Sequence, residues 1–544
     1  MHLEGIHVAP IRTLLGDSVF NEVHFDSVHL AADSLLGELD GGWNIVTDVL
    51  RDERGPEFAL DRFAEIRRMF EELLRVHREM GSVDQYLGHE YARLSAIPLI
   101  AQDLLIRLDT QNLRTGLESM AKLYTTECWR ALGDAMVTET DHRSVTGPAQ
   151  LERLLESRHF TISAGTSQIQ RNNISRQVLR LPSSRTGPDI PPEDGEEMKF
   201  LDDGWTHDAG QVLSTWERLV TNLDENLDDD GHATPEVVQA SLAAIADAGW
   251  EELRVEDDFV IEALRRAHRR SVPLSVPLVA TWFGERLADL QGRDPTGVAI
   301  SIGALTEAIE DRDPVKDLKV TTVYPGVFDT LVPVRRGSVI DIYEIPRGAA
   351  VWSVDTSPDP TVDLRTAIFP AFHDAPLALR KVGELEQHDA EHLTAGVLLA
   401  QAAAVLGQAE TLFTRTLAYI RTRKQFEVPV GSFQALKHRA ADLAVDVYAS
   451  DRVLAHGHQC WQKRVDPLMY GAHAKAMAGR AALAVASEAI QFHGGLGFTW
   501  EGGVHLGYKR IIHHLQQGWS VGRCERELAH AIATDSEIGW PTAL

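Results

Sequence analysis

Apolar residues recur at three- and four-residue spacing from Ile45 to about Arg180, and again from about Asp389 to Ala533. That period lines one stripe of an α-helix, so both blocks are bound to form long helices packed antiparallel. Breaks in the first block are expected near Gly81, Gly133 and the Ser144-to-Pro148 segment. Elsewhere the period is two. Val19-Phe20-Asn21-Glu22-Val23-His24-Phe25-Asp26-Ser27-Val28 alternates for part of its length before Gly41-Gly42-Trp43 punctuates the chain. From Val298 to Phe369 the chain is again β-like, with runs such as Val320-Thr321-Thr322-Val323-Tyr324 and Ser338-Val339-Ile340-Asp341-Ile342-Tyr343.

Between the halves, Pro182, Gly187, Pro188, Pro191 and Pro192 crowd together ahead of Glu193, Asp194, Glu196 and Glu197, the composition of a linker. Helices are expected from about Asp208 to Arg293. The order is strand, helix, linker, helix, strand, helix: a mostly α protein with β domains. The second half reads as a complete α–β–α unit and the first as the same unit with its beginning missing, an internal repeat with little residue identity. That implies a natural start upstream of Met1.

A chain of 544 residues exceeds one ordinary core, which predicts two to four domains. The formal charge of −27 argues against nucleic acid or an anionic membrane as the main partner. A few local Arg and Lys still suffice for a phosphate. Cys128, Cys460 and Cys524 lie far apart with no metal spacing and read as free thiols in a reducing cytoplasm. Met1-His2-Leu3-Glu4-Gly5 lacks the basic-then-apolar pattern of a signal peptide. The apolar run from Leu393 to Leu406, interrupted by Gln401, is too short to span a bilayer and predicts a buried helix. His438, His513 and His514 have no companions at ligand spacing, and Asp228-Asp229-Asp230-Gly231 lacks the later positions of a calcium loop.

Several motifs together resemble the acyl-CoA dehydrogenase family. In the first half they are Asn21 to Val28, Gly41-Gly42-Trp43, Asp52-Glu53-Arg54 and Gly165-Thr166-Ser167-Gln168-Ile169-Gln170. In the second they are Arg423-Lys424-Gln425-Phe426, Phe433-Gln434, and Gln491 to Trp500 with its Gly494-Gly495 pair. The resemblance implies a tandem fusion of two dehydrogenase-like copies, the first N-terminally incomplete. Its boundaries would be a remnant of the first β domain at 1–40, the first C-terminal helical domain at 41–181 and a linker at 182–197. The second N-terminal helical domain at 198–296, a second β domain at 297–380 and the second C-terminal helical domain at 381–544 would complete the chain.

The family oxidises the Cα–Cβ bond of an acyl-CoA thioester, passing a hydride to FAD, with electron-transferring flavoprotein as the usual acceptor. The base is commonly a Glu just before the Gly-Thr of the first motif, where this chain has Ala164. Some members place it on an earlier helix before an Arg, which implies Glu53 as catalytic base and Arg54 as a substrate-binding residue. A base acting on a weakly acidic thioester α-proton gains from burial that raises its pKa. The resemblance makes Arg423 a partner of the FAD pyrophosphate, a role suited to a permanently charged fork. It also implies Gln425, Phe426 and Gln434 as cofactor contacts, and Gln491, Gly494 and Gly495 as the loop near the diphosphate. Thr166 and Gln168 would contact the flavin.

The copies complement each other. Gln85-Tyr86-Leu87-Gly88-His89 stands where the first half should carry Arg-x-Gln-Phe, and Leu132-Gly133-Asp134-Ala135 replaces its Gly-Gly loop. In the second half Val397 and Leu398 replace the Glu-Arg pair, and Gln517-Gly518-Trp519-Ser520 replaces the terminal Glu-Gly-Thr. The resemblance thus implies one composite FAD site per chain, in a homodimer of fused chains. Such fusions resemble actinobacterial dehydrogenases acting on steroid side-chain CoA thioesters. An acyl-CoA oxidase and a non-catalytic acyl-CoA-binding partner subunit are the alternatives.

Overall fold

A computed structural model describes residues 3–52, 55–110, 115–138, 148–182, 275–293, 298–308, 320–323, 329–336, 338–346, 353–354, 366–369, 380–534 and 539–541. Glu53, Arg54, the expected linker from Ser183 onward, the Asp228-to-Gly231 run and most of the expected 198–296 helical domain lie outside the described residues. The chain forms two compact units, Met1–Val83 with Arg93–Val178, and Asp84–Ala92 with Leu179–Leu544.

The first unit opens with an antiparallel hairpin of β1 (Ile6–Ile11) and β2 (Phe20–Phe25), pairing Ile6 with Phe25 through to Ile11 with Phe20. Helices come next: α1 (Gly42–Asp52), α2 (Pro56–Met80), α3 (Gln85–Asp109), α4 (Leu117–Thr138), α5 (Pro148–Phe160) and the short α6 (Ser167–Asn173), which runs into a π-helical turn at Ile174–Val178. Proline at the first position of α2 and left-handed Gly81 (φ 65°) after its last set the limits of that helix. Ile66, Met69, Phe70 and Leu73 of α2 are fully buried, each contributing about 1.5–3 kcal/mol on leaving water. Trp129 of α4 stacks on Phe160 with centroids 4.9 Å apart and lies in the same core.

The break expected at Gly133 does not occur. Gly133 lies inside α4, where a Cβ would come 3.0 Å from Ser157 Oγ and 3.1 Å from Leu154 Cδ1. The glycine serves a helix crossing, whose benefit exceeds its weak helix propensity. The break after α3 was not expected; left-handed Gly116 (φ 103°) precedes α4 there.

In the second unit, α7 (Ser275–Leu290) leads to β3 (Val298–Ile300), α8 (Ile302–Ala308), β4 (Val320–Val323), β5 (Asp329–Arg336), β6 (Val339–Ile345), β7 (Ser353–Val354), β8 (Thr366–Phe369) and β9 (Arg380–Leu385). One sheet has the order β3-β5-β6-β9 and a second the order β4-β8-β7. Only β3 and β5 pair in parallel among the described strands, across the α8 crossover. Then come α9 (Gln387–Thr422), a small hairpin of β10 (Lys424–Gln425) and β11 (Val428–Pro429), and helices α10 (Gln434–Gln462), α11 (Pro467–His493), α12 (Val504–Gln516) and α13 (Val521–Thr534). This mostly helical, dehydrogenase-like arrangement is the one expected. By length and composition α9 could cross a membrane, yet 94% of its most apolar window is buried within the protein. The Leu393–Leu406 run is therefore core. Cys128, Cys460 and Cys524 are free and buried.

Residues 84–92, the opening turns of α3, cluster with the second unit around Glu525 of α13. The wholly buried Glu525 accepts from Arg480 Nε at 2.6 Å and Nη2 at 2.8 Å, from His89 Nδ1 at 2.9 Å and from Gln85 Nε2 at 2.8 Å. Gly88 allows this approach, since a Cβ there would lie 1.9 Å from the Glu525 carbonyl oxygen. Burial alone would raise the Glu525 pKa, but the hydrogen bonds from His89, Arg480 and Gln85 outweigh it and lower it to about 2. The depressed folded pKa adds stability that is complete above the ordinary value near 4.5 and is lost as pH falls toward about 2. Glu525→Gln should therefore cost about 3 kcal/mol at neutral pH and flatten the acid limb across that window, read by chemical denaturation at stepped pH. A variant that keeps the wild-type acid limb would show that Glu525 does not carry it.

Candidate cofactor site

The two cofactor motifs of the second half meet through a ring stack. Arg423 caps the C-terminus of α9, its N–H donating to Tyr419 O at 2.8 Å, and it is exposed. Tyr419, one turn earlier, stacks on His493 with centroids 4.3 Å apart and planes 18° from parallel. His493 is the last residue of α11, directly before Gly494. Burial lowers the His493 pKa, and Nδ1–H donates to Ala489 O at 2.7 Å, so the neutral ring is fixed in one tautomer.

The basic helix end divides its work. Arg421 donates to Leu179 O at 2.7 Å and is half-buried, a structural role. Arg423 enters no ion pair among the described residues, leaving its guanidinium available to an anion. After it the chain turns tightly. Lys424 pairs with Pro429 and Gln425 with Val428, so Phe426 (φ 52°) and Glu427 (φ 68°) occupy the corner. Two successive left-handed residues match the twist of a two-residue hairpin, a corner usually taken by Asn or Gly. Here a phenylalanine is held there, 87% exposed, at a cost of about 1 kcal/mol or more. Gln425 is exposed, and so is Gln434, the first residue of α10.

Gly494 has φ 61° and ψ −137°, a conformation essentially restricted to glycine. A Cβ on Gly494 or Gly495 would meet nothing within 4 Å, and both residues and Gln491 are exposed. Open glycine backbone beside an unspent arginine fits an anionic diphosphate.

In the first unit the Gly-Thr motif is a clamped loop. Ala164 (φ 53°) and Gly165 (φ 93°) are both left-handed. Lys122 of α4, 1% exposed, donates through Nζ to Gly165 O at 2.8 Å. Gln170 Nε2 donates to the same oxygen at 2.9 Å and to Ala164 O at 3.0 Å. Thr166 then caps α6, its Oγ1 accepting from Ile169 N at 3.3 Å. The Thr166 O–H has no acceptor among the described residues and remains to be donated. Gln168 is exposed on the first turn.

The second half repeats this clamp around a different side chain. Lys475 of α11 is fully buried and donates to Gln517 O at 2.8 Å and to Gln401 Oε1 at 2.6 Å. Gln401 Nε2 donates to Gln517 O as well, at 3.1 Å, which explains the polar residue inside the apolar run. Gly518 (φ 63°) comes next, and Ser520 Oγ accepts from Arg523 N as Thr166 Oγ1 does from Ile169 N. Trp519, however, is 5% exposed and its indole N–H donates inward to Thr306 O at 3.1 Å.

The replaced motifs are also placed. Val397 and Leu398 are fully buried in α9, and Leu132 to Ala135 lie within α4. Gln85 to His89 lie within α3, because a short turn from Gly81 to Asp84 stands where the second copy has its hairpin. Sequence reading missed Lys122, Lys475 and Tyr419. The Ala121-Lys122 and Ala474-Lys475 pairs, each a lone cation in an apolar helical stretch, were the available signal.

The acyl-CoA dehydrogenase C-terminal domain matches this chain twice, over residues 40–179 and 399–513. The two matches to the acyl-CoA dehydrogenase family together span a little under half of the chain. Members of that family are FAD-dependent. The chain is 36% identical over 180 residues to acyl-CoA dehydrogenase IpdE2 of Mycolicibacterium smegmatis, covering 32% of this chain and 54% of that protein. Against IpdE2 of Mycobacterium tuberculosis it is 34% identical over 191 residues, covering 31% of this chain and 58% of that one. It thus spans a little over half the length of these curated relatives. A chain from a structure of the electron transferring flavoprotein of Acidaminococcus fermentans aligns with a TM-score of 0.50 and 16% identity, over 61% of this chain and 99% of that one, a likeness of fold.

Gly494→Ala should cost about 1–3 kcal/mol from its conformation alone, whereas Gly495→Ala should leave stability within about 0.5 kcal/mol, measured by thermal melts. Equal melts for the two variants would contradict the geometry of Gly494.

Proposed function

We propose that this protein is an FAD-dependent oxidoreductase that introduces an α,β double bond into an acyl-CoA thioester, with one flavin per chain. The observation that carries this reading is the complementary survival of cofactor features. The second copy keeps an available Arg423 and an open Gly494-Gly495 backbone joined through the Tyr419–His493 stack. The first keeps Thr166 with its hydroxyl proton free, whereas Trp519, at the Thr position of the sequence motif in the second copy, is turned inward.

Arg423 and the glycine backbone would hold the diphosphate, with Gln425, Phe426, Gln434 and Gln491 around them, and Thr166 and Gln168 would hold the flavin ring. When bound, FAD supplies the hydride acceptor. The remaining chemistry falls to the chain. Glu53 removes the α-proton of the thioester, a task that favours a desolvated carboxylate with a raised pKa. Arg54, beside it in sequence, is assigned to the ligand. A steroid side-chain acyl-CoA is the proposed substrate class, resting on the fused architecture and on Ala164 standing where the usual base would be. Electron-transferring flavoprotein is the proposed acceptor and a dimer of chains the proposed assembly.

A flavin absorbance spectrum calibrated per polypeptide tests the reading directly; about one FAD per chain is expected, and none after reconstitution would refute it. Glu53→Gln should retain the flavin while turnover falls about 100-fold or more, measured with an artificial electron acceptor, as for loss of a general base. Near-normal turnover would exclude Glu53 as the base. Arg423→Ala should lose bound FAD on gel filtration, an outcome that a fully yellow variant would contradict.

A further inference from the structure

We propose that Lys122 and Gln170 are positioning residues for the cofactor: they fix the loop that presents Thr166, and the affinity for FAD depends on them. The inference rests on the flavin reading above. Left-handed Ala164 carries a side chain that disfavours its conformation, so the Ala164–Gly165 loop needs an external hold. It has two. The ammonium of buried Lys122 reaches Gly165 O at 2.8 Å from α4, and the Gln170 amide reaches both loop carbonyls from α6. The two holds come from different helices and converge on one carbonyl, so its position is set to within the tolerance of a charge-assisted hydrogen bond. Thr166 is the next residue. Its Oγ1 is oriented by Ile169 N–H, so the free proton has a defined direction only while the loop is held.

The second half supplies an internal control. Lys475 holds Gln517 O from an equally buried position, but there the side chain two residues on is Trp519, which donates inward to Thr306 O, and the helix cap falls to Ser520. A purely structural lysine clamp is therefore present in the same chain, alongside the one assigned to the cofactor. Removing either should loosen the fold; only removing Lys122 or Gln170 should weaken FAD.

The test is FAD titration of deflavinated full-length protein, read by quenching of flavin fluorescence, with a thermal melt of each variant. Lys122→Met and Gln170→Met should each raise the FAD dissociation constant about tenfold or more, the effect of one lost hydrogen bond to a fixed group. Lys475→Met should lower the melting temperature while leaving FAD affinity within about twofold. Lys122→Arg, which keeps a donor, should recover part of the affinity. Wild-type affinity in folded Lys122→Met and Gln170→Met would overturn the proposal, as would an equal loss in Lys475→Met. If Lys122→Met does not fold, Gln170→Met decides by the same criteria. Wild-type protein that binds no FAD would overturn the flavin reading and this inference with it, an outcome distinct from a wild type that binds and variants that do not differ.

Discussion

The second unit depends on how closely α9 and α11 approach. A Cβ on Gly471 of α11 would lie 2.9 Å from the carbonyl oxygen of Ala395 in α9, and on the other side of α9 one on Gly396 would lie 2.6 Å from the Phe283 ring of α7. Gly471 and Ala395 bring the α9 and α11 backbones close together, and water has no room between. Lys475 sits in that seam. Desolvation lowers its pKa to about 8, and Gln401 and the Gln517 carbonyl take the hydrogen bonds of the buried ammonium. Close packing thus fixes the lysine, the lysine fixes the carbonyl, and the carbonyl fixes where the chain turns toward α13.

The same device occurs in the first unit with Lys122 and Gly165. Burying a long cation is costly, and retaining it twice points to the conformational specificity that a hydrogen-bonded charge provides. Thr166 and Ser520 both cap the helix that follows, and the second copy is set apart by Trp519, whose indole donates inward to Thr306 O.

Much of the fold was legible in the sequence. Long stretches of helical period became α2 to α4 and α9 to α13, since burial of an apolar stripe is a cooperative signal summed over many residues. The β-like runs around Val320 and Ile340 became strands for the same reason. Gly133 misled because glycine weakens an isolated helix but also permits a crossing, and only the neighbours Leu154 and Ser157 decide between them. Family motifs single out Arg423, Gly494 and Thr166 as candidates, but not the groups that position their backbone. Lys122 and Lys475 act on backbone carbonyls, which carry no residue identity to read. Nor does any local preference announce Phe426 and Glu427 in left-handed conformations; the register of the hairpin imposes it. Glu53 and Arg54 remain assignments of sequence.

Helix α3 begins in one compact unit and continues in the other. Gln85 and His89 on its first turns supply two of the donors to the buried carboxylate of Glu525, and His473 Nε2 meets the Ala92 carbonyl at 2.8 Å. The Pro-rich linker is therefore not a seam along which two autonomous halves can be separated. Cutting there would leave the second half with its Glu525 partly unpaired, and the first with a helix whose opening turns had lost their bed. The fusion is written into the packing as well as into the covalent chain, and gene-splitting or subunit-swapping experiments would have to carry residues 84–92 along with the second half.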